Sequence, residues 1–510
     1  MKVTKKTRWG IAVFVIVLAL TVGLILTGCL DPGSPGGSDQ DGYSSGGTNT
    51  GSNNPSGTNT GNTNPSGSNP GDNSSGGTNS GGSNTGGANT GGTGPGGSNT
   101  GGNNGGGESG GNEEPVYEND HLFTVANAAQ WNEAISGINN SGNNKSYIIT
   151  ITNDFSIPGH DDYTFSPTGL TVTIQGNKTI SLSNSGCLLV IDDTQKIVIE
   201  DLNLRGLNNN DYYLVGVYAG NFTMQGNASV QGNFSPGVNV YGGTFNMEGN
   251  ASVFGNSLGG VLITSAYVRG NFTMNGGSIT GNGGTKSGYA HTFGGVCVLD
   301  GTFTMNGGTI SNNAAAYDGG GVVAGIIRYS DDAVSFGDGT FNMNGGIISD
   351  NTASGYGGGV FINESTFAMK NGTISRNTAT QGGGGVAVRG GIWNNTATGE
   401  SLKYFGSFNM SGGTISDNTT QYRGGGVFLS DGWGPTTFSK TGGIITGYGS
   451  DISNGNIAKR SGIVQSDQGH AIYAEIDVTD STKRKETTSG PGDILYFNND
   501  DGTFSGAWDY

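Results

Sequence analysis

One phrase recurs seven times along this chain of 510 residues: F-x-M-x-G-x-x-I-x-x-N, read with small variations. It begins at Phe222, Phe245, Phe272, Phe303, Phe341, Phe367 and Phe408. Two residues later stand Met224, Met247, Met274, Met305, Met343, Met369 and Met410, which are all the methionines after Met1. An eighth, worn copy begins at Phe438 and puts Lys440 in the methionine column. A repeat of 23 or more residues specifies a solenoid, because each unit can bury its apolar face only against the next one.

The columns of the repeat give the shape of the coil. Phe and Met stand two apart, so on a strand both point inward. Ile279, Ile310, Ile348, Ile374 and Ile415 follow seven residues after Phe, and Val230 and Val253 follow eight after. Three residues further on come Asn233, Asn256, Asn282, Asn313, Asn351, Asn377 and Asn418, whose stacked amides predict a ladder of hydrogen bonds along the axis. A third strand follows a glycine run, as in Gly260-Val261, Gly321-Val322 and Gly426-Val427. Three short strands and three turns per unit predict an all-β chain folded as a right-handed parallel β-helix solenoid. Leucine-rich repeats and propeller blades need other spacings. Cys187 and Cys297 lie about four coils apart, roughly 19 Å, which is too far for a disulfide and fits packing roles.

Composition divides the chain into parts. Residues 1–28 read as a signal peptide, with Lys2, Lys5, Lys6 and Arg8 ahead of an apolar run from Ile11 to Ile25. That run is short for a permanent membrane helix, which needs about 20 apolar residues. Leu26-Thr27-Gly28-Cys29 resembles a bacterial lipobox, which implies lipidation at Cys29 and anchoring in the membrane. Residues 29–115 read as a disordered tether of Gly, Ser, Asn and Thr, with too few apolar side chains to offset the cost of ordering. Residues 116–145 read as an N-terminal helical cap, in which Asn127 and Gln130 form the capping pair and Ala128, Trp131, Ile135 and Ile138 line one face. Residues 146–446 are the parallel β-helix, and 447–510 a last coil and C-terminal cap.

All 39 acidic residues follow Cys29, whereas only 18 of the 22 Lys and Arg do, so the chain from Cys29 onward carries a net charge of −21. Such a surface argues against nucleic acid as a partner.

A glycine-rich third strand paired with F-x-x-N resembles the repeats of chlamydial polymorphic outer-membrane proteins. The phrases at Phe272–Asn275, Phe303–Asn306 and Phe341–Asn344 are closer to those of spirochaetal β-helix lipoproteins with FTMNGGTIS-type repeats. The likeness is strong from Phe222 to Ile445 and weak from Tyr147 to Val217. Gln225, Glu248, Lys370 and Ser411 depart from F-x-x-N, and the 65 residues after Ile445 are too few for an autotransporter barrel. The resemblance implies a lipid-anchored protein of the bacterial outer membrane, at the cell surface or on its periplasmic face.

Parallel β-helices also host polysaccharide lyases and hydrolases, the pectate-lyase-like enzymes. Such sites need carboxylates, or a basic residue with calcium ligands, on outward positions of neighbouring coils. Here the outward residues are Thr223, Asn246, Thr273, Thr304, Asn342, Ala368 and Asn409 on the first strand, and Asn239, Leu262, Cys297, Val323, Phe361, Ala387 and Phe428 on the third. None is charged or a histidine. Asp350, Arg376 and Asp417 share one turn position and read as a solvated ion-pair ladder. Asp192-Asp193 and Asp331-Asp332 read as solvated turns, and the four histidines fit no zinc or triad pattern. No catalytic, metal or cofactor residues are therefore expected in the regular coils.

Unequal spacing is more informative. The Val-to-Phe interval is 7 residues in the shortest coils but 11 from Val261, 19 from Val322, 22 from Val386 and 11 from Val427. All four insertions fall in one turn. They carry Tyr267 and Arg269, Arg328 and Tyr329, Trp393, Tyr404 and Phe405, and Trp433, a candidate ligand edge for a glycan or protein. Alternatively these loops fold back over the apolar outward stripe at Leu262, Val323, Phe361 and Phe428. The reading that follows is a non-catalytic envelope protein with a binding or adhesive surface. A lyase or hydrolase in the early coils is the alternative, and a passive spacer the third.

Overall fold

A computed structural model describes residues 121–474 except 193, 266–267, 285–292, 326–337, 395–400, 431–433, 449–450 and 466–468, and omits the side chains of Trp393, Asn394 and Leu402. Cys29, the expected tether and residues 475–510 lie outside the described residues.

Corresponding strands of successive repeats stack in register, and four sheets result. Sheet A has twelve strands, from Leu122–Val125 to Thr436–Lys440, and all are parallel. Sheet B has eleven, from Phe155–Ile157 to Ile444–Ile445, and sheet C ten, from Leu189–Ile191 to Ile472–Ala474. The fold is an all-β parallel β-helix. Phe222 pairs with Phe245, Phe272 with Phe303 and Phe367 with Phe408, so identical side chains stack. From Phe245 to Phe408 the rings stand 4.7–4.9 Å apart and stack within 12° of parallel. Phe, Met, Ile and Val of the repeat are buried almost completely. In the early coils, Tyr147, Val172 and Ile197 continue the Phe column, and Ile149, Ile174 and Ile199 continue the Met column.

The asparagine ladder forms, and it is longer than the repeat suggests. Asn210 at one end and Asn456 at the other extend it, and every member is buried. Asn313, Asn351 and Asn377 each donate from Nδ2 to the next Oδ1 at 2.9 Å.

The coil has four strands where the repeat suggested three. Sheet D has seven, which begin at Gly283–Gly284 and run through two-residue steps such as Ala314–Ala315 and Thr352–Ala353. Its inward residues are Ala315, Ala353, Ala379, Thr420 and Ala458. Two residues cannot show an alternating pattern, which is why sheet D is silent in the sequence. It exists where eight or more residues separate the ladder asparagine from the third strand, and is missing after Asn233 and Asn256, where only four do.

The first coil is covered as expected by a helix, Ala128–Asn139. Asn127 accepts from the Gln130 backbone N–H at 3.1 Å, while the Gln130 side chain accepts from Ala126 at 2.7 Å. Trp131, Ala134 and Ile138 are buried, and the Trp131 ring lies 6.4 Å from Phe155. Ala128 and Ile135 pack at the rim. Ahead of the helix, Leu122–Val125 adds an edge strand to sheet A that four residues were too few to announce.

The outward stripe of sheet C is not exposed. Cys297, Val323, Phe361, Ala387 and Phe428 form a second buried cluster with Phe293. Among the described residues, part of its cover comes from the turn ahead of sheet C. Tyr356, whose N–H is held by Asp318 at 2.7 Å, stacks on Phe361 and Phe428 at 6.3 and 5.5 Å. The Arg389 guanidinium closes the other side, 5.2 Å from the Phe361 ring.

Candidate functional site

The turn from sheet C to sheet A carries the insertions, and the stack runs past them undisturbed. Arg389 pairs with Asn363 just before the longest insertion, and Ser407 with Thr366 just after it. Since both flanks stay in register, the added residues leave through the edge. Those from Gly391–Asn394 and Ser401–Tyr404 pair as an antiparallel hairpin, with Trp393 opposite Leu402 and Gly391 opposite Tyr404. At its base, a side chain on Gly391 would displace Glu364. A Cβ on Gly391 would lie 1.8 Å from the Glu364 carboxylate. Ile392 is 41% exposed and Phe405 56%, whereas Tyr404 is half-buried. Ile392 on the hairpin and Phe405 just after it thus leave two large apolar side chains facing solvent.

Arg269 lies in the expected turn, held there by acidic side chains of the next two coils. Its guanidinium bridges Asp300 at 3.1 Å and Asp338 at 3.0 Å, tying three coils together, and Ser265 also donates to Asp300. The arginine is more than half exposed, so these pairs fasten the edge at a gain of about 0–1 kcal/mol each. Tyr267, Arg328, Tyr329 and Trp433 lie outside the described residues, and Trp393 is placed by its backbone alone.

Sequence reasoning missed an aromatic group on the same edge. Tyr218 and Tyr241 directly follow the inward Val217 and Val240 on successive coils, and their rings stand 5.5 Å apart. Tyr163 and Tyr213 meet Tyr218 edge-on at 6.1 and 6.4 Å, and the Tyr213 and Tyr218 hydroxyls bond to each other. Gly216 supplies the notch, since a Cβ there would strike the Tyr213 ring at 2.6 Å. Tyr163 is 48% exposed, and its hydroxyl bonds to Asp192. Burial, with the Asp192 charge beside it, pushes the Tyr163 phenol up from its ordinary value. A signal existed, two tyrosines 23 residues apart at equal positions, but they follow the strand's second inward valine and so fall outside the outward columns of the repeat.

Several other polar groups hold the fold. Arg376 makes a two-pronged pair with Asp350, 2.9 Å on each arm. Cys187 and Cys297 are buried free thiols, and burial pushes the Cys187 thiol up to about 12. His470 is buried and accepts from the Ala458 N–H through Nδ1 at 3.0 Å, while His160 bonds to backbone oxygens of Asp162 and Leu188. Among the described residues, no three His, Cys, Asp or Glu side chains converge.

No protein family, curated protein or solved structure matches this chain.

Proposed function

We propose that this is a non-catalytic envelope lipoprotein, anchored through Cys29 in a bacterial outer membrane, whose β-helix presents a binding or adhesive edge. On this reading it is related to the spirochaetal-type β-helix lipoproteins that its repeats resemble. One observation carries the argument: the insertions leave a single edge while the coils on either side keep their register, so the loops cost the scaffold nothing and are free to serve contact. Exposed Ile392 on the hairpin and Phe405 just after it, with Tyr163, Tyr218 and Tyr241 in earlier coils, give that edge an aromatic and apolar character suited to glycan or protein contact.

Two measurements test it. Binding of the full chain to a glycan array and to host matrix proteins is expected to fall at least tenfold in a Trp393→Ala, Tyr404→Ala, Trp433→Ala variant. Wild-type binding by that variant removes the loop edge from the reading. Protease treatment of intact cells is expected to release the β-helix, whereas protection would place it in the periplasm and rule out adhesion. Cleavage of a polysaccharide by the purified chain would instead favour a lyase or hydrolase.

A further inference from the structure

On another edge of the β-helix lies a groove of about 520 Å³, beside the outer end of sheet B in the early coils. Ser181, Arg205, Leu207, Asn208 and Ser257 line it, and Gly232 and Gly255 form its floor. Two sequence features hollow it out. The short connections after Asn233 and Asn256 leave these coils without sheet D, which starts only at Gly283–Gly284. The second feature is the residue ahead of the ladder asparagine, which is left-handed in the seven coils from Asn233 to Asn418. It is Gly232, Gly255 and Gly281 at φ 66°, 66° and 63°, then Asn312, Asp350, Arg376 and Asp417 at φ 55°, 59°, 55° and 56°.

The later coils show that this turn accepts a side chain. Glycine at 232 and 255 therefore does more than satisfy the backbone, because it keeps the space empty. A Cβ on Gly232 would have only the Arg205 stem within 4 Å, at 3.8 Å, and one on Gly255 only the Gly232 nitrogen, at 3.9 Å. Into this space Arg205 brings an exposed guanidinium, and none of the residues lining the groove is acidic. In a chain of net charge −17, a cation in a cavity without a carboxylate is a vacancy for an anion.

We propose that this groove binds a saccharide unit carrying a single carboxylate. The Arg205 fork takes the carboxylate, Ser181, Asn208 and Ser257 meet the hydroxyls, and Leu207 packs on the apolar face of the ring. The net negative charge of the chain repels a polyanion at long range, which favours one acidic group per ligand over a run of them. The site is independent of the loop edge, and either can fail without the other.

Calorimetry and saturation-transfer NMR on the full chain in detergent test it with glucuronate, glucose and inorganic sulfate as probes. Glucuronate is expected to bind at least about tenfold more tightly than glucose, and R205Q to erase that preference. G255N puts into the groove the residue type that Asn312 already carries in the same turn. It is expected to keep the far-UV circular dichroism of the parent and to lose glucuronate binding. Equal binding of glucose and glucuronate, or unchanged glucuronate binding in R205Q or in a folded G255N, overturns the site. Sulfate binding as tightly as glucuronate overturns the saccharide assignment. Should G255N fail to fold, R205Q alone decides.

Discussion

Asn351 has no exposed surface and is bonded on both sides. Its Oδ1 accepts from the Asn313 backbone at 3.0 Å and from Asn313 Nδ2 at 2.9 Å, while its own Nδ2 donates to Ile310 O and Asn377 Oδ1, both at 2.9 Å. Replacing it with alanine strands several buried polar groups, each worth about 1–3 kcal/mol when left unpaired. Asn351→Ala is expected to cost about 3 kcal/mol or more by urea denaturation. Asn306, which bonds Asn275 and Asn344 at 2.8 Å on the exposed surface, is the control, and Asn306→Ala is expected to stay within about 0.5 kcal/mol. Equal losses would show that the inner ladder is not a structural spine. The residue before the ladder offers a second measurement. Arg376 beside Asp350 holds that carboxyl below its ordinary value, so the pair's small contribution is present above the unfolded carboxylate pKa and fades as pH falls through the folded one. Arg376→Gly relieves a left-handed residue and removes the pair together. Its stability is expected to change less than wild type between pH 5 and pH 2, at about the limits set by ordinary carboxylate titration; an equal acid response would remove the pair from the account.

At the scale of elements, legibility follows length and period. The helix Ala128–Asn139 was readable because a capping pair and a 3.6-residue apolar face agree, and the Phe, Met, Ile and Val strands because they repeat. Sheet D and the strand Leu122–Val125 were not, since two to four residues carry no period of their own. The groove escaped for another reason: it is made of glycines, and what matters there is the absence of side chains. The helix itself is expected to guard the first coil. Trp131→Ala should cost about 3–5 kcal/mol of local stability, the usual range for emptying a buried tryptophan site. Hydrogen exchange would then rise along Ser146–Ile151 and Phe155–Ile157 while the coil at Phe341 stays protected. Uniform deprotection of the whole stack would mean that the coils unfold as one unit and that the cap has no separate role.

The molecule as a whole is modular because the backbone pairs of each coil run only to its neighbours. Thr340 pairs with Thr366 and Phe341 with Phe367, so the segment from Thr340 to Ser365 is one complete turn of the helix. Inserting a second copy of it is expected to give a folded protein about 4.8 Å longer by small-angle scattering, with circular dichroism per residue unchanged. Aggregation or loss of strand signal in that variant would show that the coils depend on contacts beyond their neighbours. The direction of the bonds between coils has a mechanical consequence. They run along the axis, so compression is carried by stacked rings and side chains, whereas tension pulls the coils apart in series and the weakest junction yields first. That junction is expected at the coil of Phe438, whose ring tilts 31° from Phe408 and whose lysine stands in the methionine column. A load applied to the last coils would peel them away and spare the coils of the middle.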